Sequence, residues 1–359
     1  MTRTTGLDLV SPVHVQAGLD NLAKECLRIQ SGERVVVFSM STDPLGEMIV
    51  RAATACSTAV TREKIETYLR FFPDTQGKPA DTSAEADTQL GRALAGAQAS
   101  IMLAPESVPA AMSRAVIRAA KRAGTRHLHL PRVDARVLAS SARAEPSLIA
   151  SINDRLAALM RAPARLKVTG ESGSILELGL GMEQKLVCSA GRPDPGHWDN
   201  VPSGFVFTHP AQADGVFVAD RAAWGDVFRA DRAAIRRAPI QLTIAGGRVT
   251  AVSSTDPTLA AGVETHLASH ANAARVGMVT ISTNYLARVD IGNDLHDALT
   301  PGASLCLGYT NQSETGAPFD APVQLRLFAR KQTIDINGER AMTTGRFENR
   351  FVEGIDPFR

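Results

Sequence analysis

Between about residue 30 and residue 160 the chain alternates strand-length β-branched runs with helix-length segments, and nothing else in the sequence constrains the fold as strongly. Arg34-Val35-Val36-Val37-Phe38-Ser39 follows a Ser-Gly turn and reads as a short strand. Thr42-Asp43-Pro44 then opens a helix running to about Cys56, with Pro44 in the first turn, where its missing N–H is harmless. Residues 84–95 read as a helix and Ala99-Ser100-Ile101-Met102-Leu103 as a buried strand. Residues 108–123 form a second strong helix ended by Gly124, and His127-Leu128-His129-Leu130 a strand stopped by Pro131. Strands that alternate with helices pair in parallel through right-handed crossovers. The spacing therefore predicts a Rossmann-like open α/β sheet.

After a helix over 146–160 the pattern changes. Short strands at 166–169, 175–179, 205–208 and 215–218 are separated by Gly and Pro. Residues 240–244 and 248–252 flank Ala245-Gly246-Gly247, a hairpin turn. A helix follows over 258–273, then strands at 276–282, 304–308, 323–329 and 333–336. This second half is α+β and rich in antiparallel sheet. The boundary falls near Ala162-Pro163-Ala164, giving a Rossmann-like domain over 1–163 and an α+β domain over 164–359. A chain of 359 residues exceeds what one core usually serves, in keeping with two domains.

Composition narrows the partners. Basic and acidic residues number 39 and 37, net charge is +2, and no basic tract is interleaved with aromatic platforms. Nucleic acid and anionic membranes are not expected partners, and no apolar stretch approaches the roughly 20 residues of a membrane span. The opening Met1-Thr2-Arg3-Thr4-Thr5-Gly6 is not a secretion signal. Cys26, Cys56, Cys188 and Cys306 are scattered without a CxxC pair, which suits reduced thiols and a cytoplasmic location. The turn after the first strand, Ser39-Met40-Ser41-Thr42-Asp43, contains no phosphate-binding glycine motif, so nucleotide binding has no support.

The most specific stretch is His197-Trp198-Asp199-Asn200-Val201-Pro202-Ser203-Gly204-Phe205-Val206-Phe207-Thr208-His209-Pro210, followed by Gly215-Val216-Phe217-Val218. It resembles the corresponding segment of the 2,5-dihydroxypyridine 5,6-dioxygenases and, more distantly, of the thermophilic leucyl aminopeptidase (aminopeptidase T) family. Met278-Val279-Thr280-Ile281-Ser282-Thr283-Asn284, Leu305-Cys306-Leu307-Gly308 and Glu314-Thr315-Gly316 add to the likeness, which covers roughly 170–340, with the N-terminal half alike in architecture only. The resemblance implies a divalent metal held by imidazoles and carboxylates with one coordination position open. In this sequence Met278 stands at the first ligand position. Gln324 and Arg326 replace a His-x-Asp pair, Ser304 replaces a further His of the aminopeptidases, and Phe205 their Glu. Asn200 replaces an acid–base His of the dioxygenases. A fixed guanidinium charge repels a cation, so no metal cofactor is expected; the alternative is Fe2+ held by other ligands.

Each remaining residue has two readings. Arg326 either takes over the ion's electrostatic work or is a surface arginine, and Gln324 shares its strand face. Ser203 is a substrate-contacting turn or a plain turn serine. Glu314 is the first choice as general acid or base, against a solvated loop carboxylate. His197 and His209 are catalytic or structural, and His296-Asp297 reads as a solvated helix end. His127-x-His129 has the same-face spacing of a metal pair without a third ligand, and Trp198 reads as a wall of an interdomain cleft. Together these predict a metal-independent enzyme, hydrolase-like or otherwise acid–base, acting on a small polar or aromatic anion. Catalysis falls to Glu314 and His209, and binding to Arg326, Gln324, Ser203, Trp198, Ser304 and Met278. The alternatives are an iron-dependent ring-cleaving dioxygenase with other ligands and a non-catalytic ligand-binding descendant. The resemblance further implies a homo-oligomer.

Overall fold

In the computed structural model, which describes residues 10–72, 84–224 and 234–354, the alternating half builds one parallel sheet. Its strands lie in the order Val60–Lys64, Val35–Ser39, Ala99–Ala104, Arg126–Pro131, Trp198–Asn200. Every residue of Val35–Ser39 and Ala99–Ala104 is buried, because helices cover both faces of a parallel sheet. The period of two sorts the side chains. Val35 and Val37 pack with Leu19, Leu45 and Ile49 on one face. Val36 and Phe38 pack with Leu90, Met112 and Val116 on the other.

The Pro44–Thr54 helix begins as its sequence dictates, with the Asp43 carboxylate accepting from Leu45 N. Beside it the Arg62 guanidinium reaches Ser39 Oγ at 2.8 Å and Met40 O at 2.6 Å. Gly46 admits this arrangement, since a Cβ there would come within 2.4 Å of Ser39 Oγ.

The chain forms two units, and neither is contiguous. The first comprises the chain up to Ser147 with Ala190–Ser203 and Asp290–His296; the second comprises Leu148–Ser189, Gly204–Val289 and the chain from Asp297 onward. The fifth strand of the parallel sheet, Trp198–Asn200, thus comes from beyond the break at Pro163. Its polar residues give no strand signal, and its pairing with His127–His129 is a tertiary event.

The second unit has an eight-stranded and a six-stranded antiparallel sheet. Leu166, Leu176, Phe217 and Leu242 of the first meet Val206, Val279, Leu305 and Leu327 of the second in one core. Ile152 and Leu156 of the Pro146–Leu159 helix and Val263 of the Pro257–Ala268 helix join it. The hairpin at Gly246 and Gly247 has both at positive φ, 56° and 73°, as a tight primed turn requires.

Two expectations are corrected. The helix expected to reach 273 stops at Ala268, because Ser269 Oγ turns back to His266 O at 2.6 Å and the Asn272 N–H donates to His270 Nδ1 at 3.2 Å instead of continuing the ladder. His296 and Asp297 are not a solvated helix end: they are 1% and 3% exposed. His296 Nδ1 lies 2.7 Å from Ser141 Oγ, and Asp297 pairs with Arg236. The opening stretch Met1–Gly6 lies outside the described residues. Among the described residues no helix is long and apolar enough to cross a membrane.

Candidate active site

The six-stranded sheet of the second unit brings most of the sequence-derived residues onto one face. Cys306 pairs with both Met278 and Arg326, and Ser304 pairs with both Thr280 and Phe328. Directly paired residues share a face. Met278, Cys306 and Arg326 therefore form one row across three strands, and Phe207, Thr280, Ser304 and Phe328 form the next. Val279, Leu305 and Leu327 point the other way, into the core. Phe205 pairs with Ser282 on the same face as the two rows, and Gln324 pairs with Gly308 beyond the Arg326 row. Thr208 is the last residue of its strand to pair, with Val279. His209 follows it directly, beyond the last paired residue.

Arg326 is half-buried between two fully buried leucines, Leu325 and Leu327. Its guanidinium charge acts on the Cys306 thiol. Burial raises the thiol pKa and the guanidinium offsets part of that rise. Tyr309 follows in the same connection, its phenol pushed up by burial and by Asp320, and drawn down by Arg326. Asp320 Oδ1 accepts from Thr310 N at 2.9 Å, Thr310 Oγ1 at 3.0 Å and Ala321 N at 2.9 Å, closing the loop that carries Glu314. Glu314 itself is exposed on the Gln312–Thr315 turn of helix, and Gln324 is exposed at the start of its strand. Met278 and Ser304 are buried. Phe205 and Phe207 stand half-buried with ring centroids 5.9 Å apart.

His209 is the best-defined chemical group here. Its Nδ1 lies 2.9 Å from the carbonyl oxygen of Gly277. A carbonyl only accepts, so Nδ1 carries the hydrogen and Nε2 the lone pair. Burial lowers the imidazole pKa, the Gly277 bond opposes this, and Arg275 lowers it further. The ring meets Phe319 edge-on at 5.3 Å, and the Arg275 guanidinium lies 3.8 Å over that same phenyl. The result is a neutral imidazole of fixed tautomer. Position 277 has to be glycine for the neighbouring strand to approach, because a Cβ there would lie 2.3 Å from Tyr309 O.

The remaining sequence-derived residues belong to the first unit. Trp198 is 38% exposed on the fifth parallel strand, level with His127. Ser203 is buried after the cis Val201–Pro202 bond. His197 is exposed. His127 and His129 are both buried, with ring centroids 6.5 Å apart and His127 Nδ1 2.9 Å from Ser100 Oγ. Sequence reasoning passed over Cys306 and Tyr309. The available signal was the period of two, which sets Cys306 on the face of Ser304.

The ligand positions of the resembled families do not suit a divalent ion in this chain. They offer a thioether, an amide, a hydroxyl, a phenyl ring and a guanidinium, which supply neither an imidazole nor a carboxylate. Among the described residues no group of three or more His, Cys, Asp or Glu is placed to hold a metal ion.

Comparison with known proteins agrees with this architecture. The structure of 2,5-dihydroxypyridine dioxygenase from Pseudomonas putida superposes with a TM-score of 0.69 at 18% identity, covering 94% of this chain and 98% of that one. Wild-type AmpT from Thermus thermophilus superposes with a TM-score of 0.65 at 14% identity, covering 94% and 100%. At these identities the likeness is one of fold. No curated protein matches the chain. The family model for 2,5-dihydroxypyridine 5,6-dioxygenase matches residues 20–278. The match reaches well into the N-terminal half and ends at Met278, before the strand in which Gln324 and Arg326 stand. On that match, the chain belongs to the 2,5-dihydroxypyridine 5,6-dioxygenase family.

Proposed function

We propose that this chain is a metal-independent member of its superfamily, hydrolase-like, that cleaves a small polar or aromatic anion by acid–base chemistry. The observation that supports this reading is the fixed tautomer of His209, a neutral imidazole with its basic nitrogen opposite the Gly277 bond, directly after a strand of the sheet that also carries Arg326. A base must be unprotonated at working pH, and the burial that lowers the His209 pKa favours that form. Arg326 receives the anion, with Gln324 as a second donor and Met278 and Ser304 as the floor. Charge-assisted, partly desolvated bonds of this kind are roughly twice as strong as neutral ones. His209 takes a proton from a water molecule that adds to the substrate's carbonyl carbon, and Glu314, in its protonated form, gives one to the leaving group as the bond to that carbon breaks. The same reading has the protein in the cytoplasm as a homo-oligomer.

The test is turnover of a panel of aryl and amino-acid esters and amides by enzyme stripped with a chelator. Activity that persists in chelator and falls in His209→Gln is the expected outcome. Activity that appears only on adding Fe2+ would overturn the reading.

A further inference from the structure

We infer that the second unit carries a further binding site, independent of the acid–base reading, for a small amino acid in its zwitterionic form. The ligand carboxylate lies on Arg330 and its ammonium group on Glu171.

Three connections of the second unit build the site. The hairpin between the Ala164–Gly170 and Ile175–Leu180 strands brings Glu171 and Ser172. The end of the Gln212–Ala219 strand brings Asp220, and the turn between Gln324–Phe328 and Gln332–Ile336 brings Arg330 and Lys331. Asp220 ties them together. It is 4% exposed, and a carboxylate is buried this deeply only where its charge is partnered. Its Oδ1 accepts from Arg330 N at 2.8 Å and its Oδ2 from Ser172 Oγ. These five residues line a cavity of about 240 Å3. Drug-sized ligands fill roughly 300–1,000 Å3, so the occupant is smaller, and walls this polar favour a charged molecule over a ring or an acyl chain.

The charges set the class. Two cations and two carboxylates face the cavity. A dianion such as phosphate meets Glu171 and Asp220 as well as the two cations, whereas a molecule with one charge of each sign finds an opposite charge for both. The bonds left open agree. Arg330 Nε stands 3.6 Å from Asp220 Oδ2, beyond hydrogen-bond reach, and the terminal guanidinium nitrogens have no partner among the described residues. Asp220 therefore orients the planar fork and leaves it open to a ligand carboxylate. Lys331 Nζ donates to Glu171 Oε2 at 3.0 Å, and Glu171 Oε1 has no partner among the described residues, so it can accept from an ammonium group. Lys331 itself sits at φ 49°, a left-handed conformation that non-glycine residues rarely adopt and that clusters at ligand sites.

The experiment is calorimetry or ligand-observed NMR on the full chain with four probes: alanine, acetate, methylammonium and inorganic phosphate. Alanine is expected to bind at least tenfold tighter than each of the other three. Arg330→Gln and Glu171→Gln each weaken alanine at least tenfold, and Arg330→Lys, which keeps the charge and loses the fork, gives an intermediate loss. Both side chains are more than half exposed, so the variants should melt with the parent. Dependence on both residues places the ligand in this cavity rather than at His209. Acetate or phosphate binding through Arg330 as tightly as alanine would make this an anion site and overturn the zwitterion. Alanine that fails to bind the parent, or that binds both glutamine variants as it binds the parent, would overturn the site itself.

Discussion

His209 Nδ1 lies 2.9 Å from the carbonyl oxygen of Gly277, and this one contact decides the chemistry of the ring. The carbonyl fixes the hydrogen on Nδ1, while burial keeps the ring neutral. His209→Gln retains a side-chain N–H for Gly277 but removes the base. Turnover is expected to fall by about 10²-fold or more, with stability changed by about 1 kcal/mol or less. The neutral form exists above a pKa that burial has lowered, so activity should rise with pH through an acid limb lying below the ordinary histidine value. A pH–rate profile of parent and variant checks this: the limb should vanish in the variant. An unchanged limb would show that another group is the base.

Arg326→Met removes the charge and keeps most of the volume. Leu325 and Leu327 hold the strand in the core on either side, so stability should change by no more than about 1 kcal/mol while binding or turnover drops steeply. A melting temperature far below that of the parent, or full activity, would make Arg326 a structural arginine.

Purified without added metal, the protein should carry much less than one equivalent of iron, zinc, manganese or cobalt. The reason lies in the residues at the ligand positions, Phe205, Met278, Ser304, Gln324 and Arg326, whose donors do not suit a divalent ion. Elemental analysis is decisive, and stoichiometric metal would refute the expectation.

The buried pair His127 and His129 makes stability depend on pH. Burial, with mutual repulsion at His127, lowers their pKa values to about 3 and about 4 from an ordinary 6.5. Folded-state values below the unfolded ones mean that the unfolded chain binds protons first. Stability is therefore full above about pH 6.5 and declines as pH falls toward 3–4. At pH 5 the two rings together should cost about 4 kcal/mol relative to pH 8. Denaturant titrations of the parent and of His127→Gln at pH 5 and pH 8 measure it. Equal pH dependence in both would remove His127 from the account.

In solution the mass should be a multiple of 38.2 kDa. Light scattering across a concentration series tests this, and the monomer mass throughout would count against the oligomer.

What the sequence alone determined follows from local chemistry. The β-branched run at Val35–Phe38, the Asp43-Pro44 helix start and the two glycines at 246–247 are each set by neighbours a few residues away, and each was legible. Tertiary structure decided what depends on register and burial. Trp198–Asn200 is too short and polar to declare itself a strand, and it became one only through pairing with His127–His129. His296 and Asp297 look like solvent groups in sequence, yet Ser141 and Arg236, distant along the chain, bury them. The tautomer of His209 depends on a carbonyl 68 residues further along the chain. The meeting of Met278, Cys306 and Arg326 depends on cross-strand pairing, which no spacing within a single strand can specify.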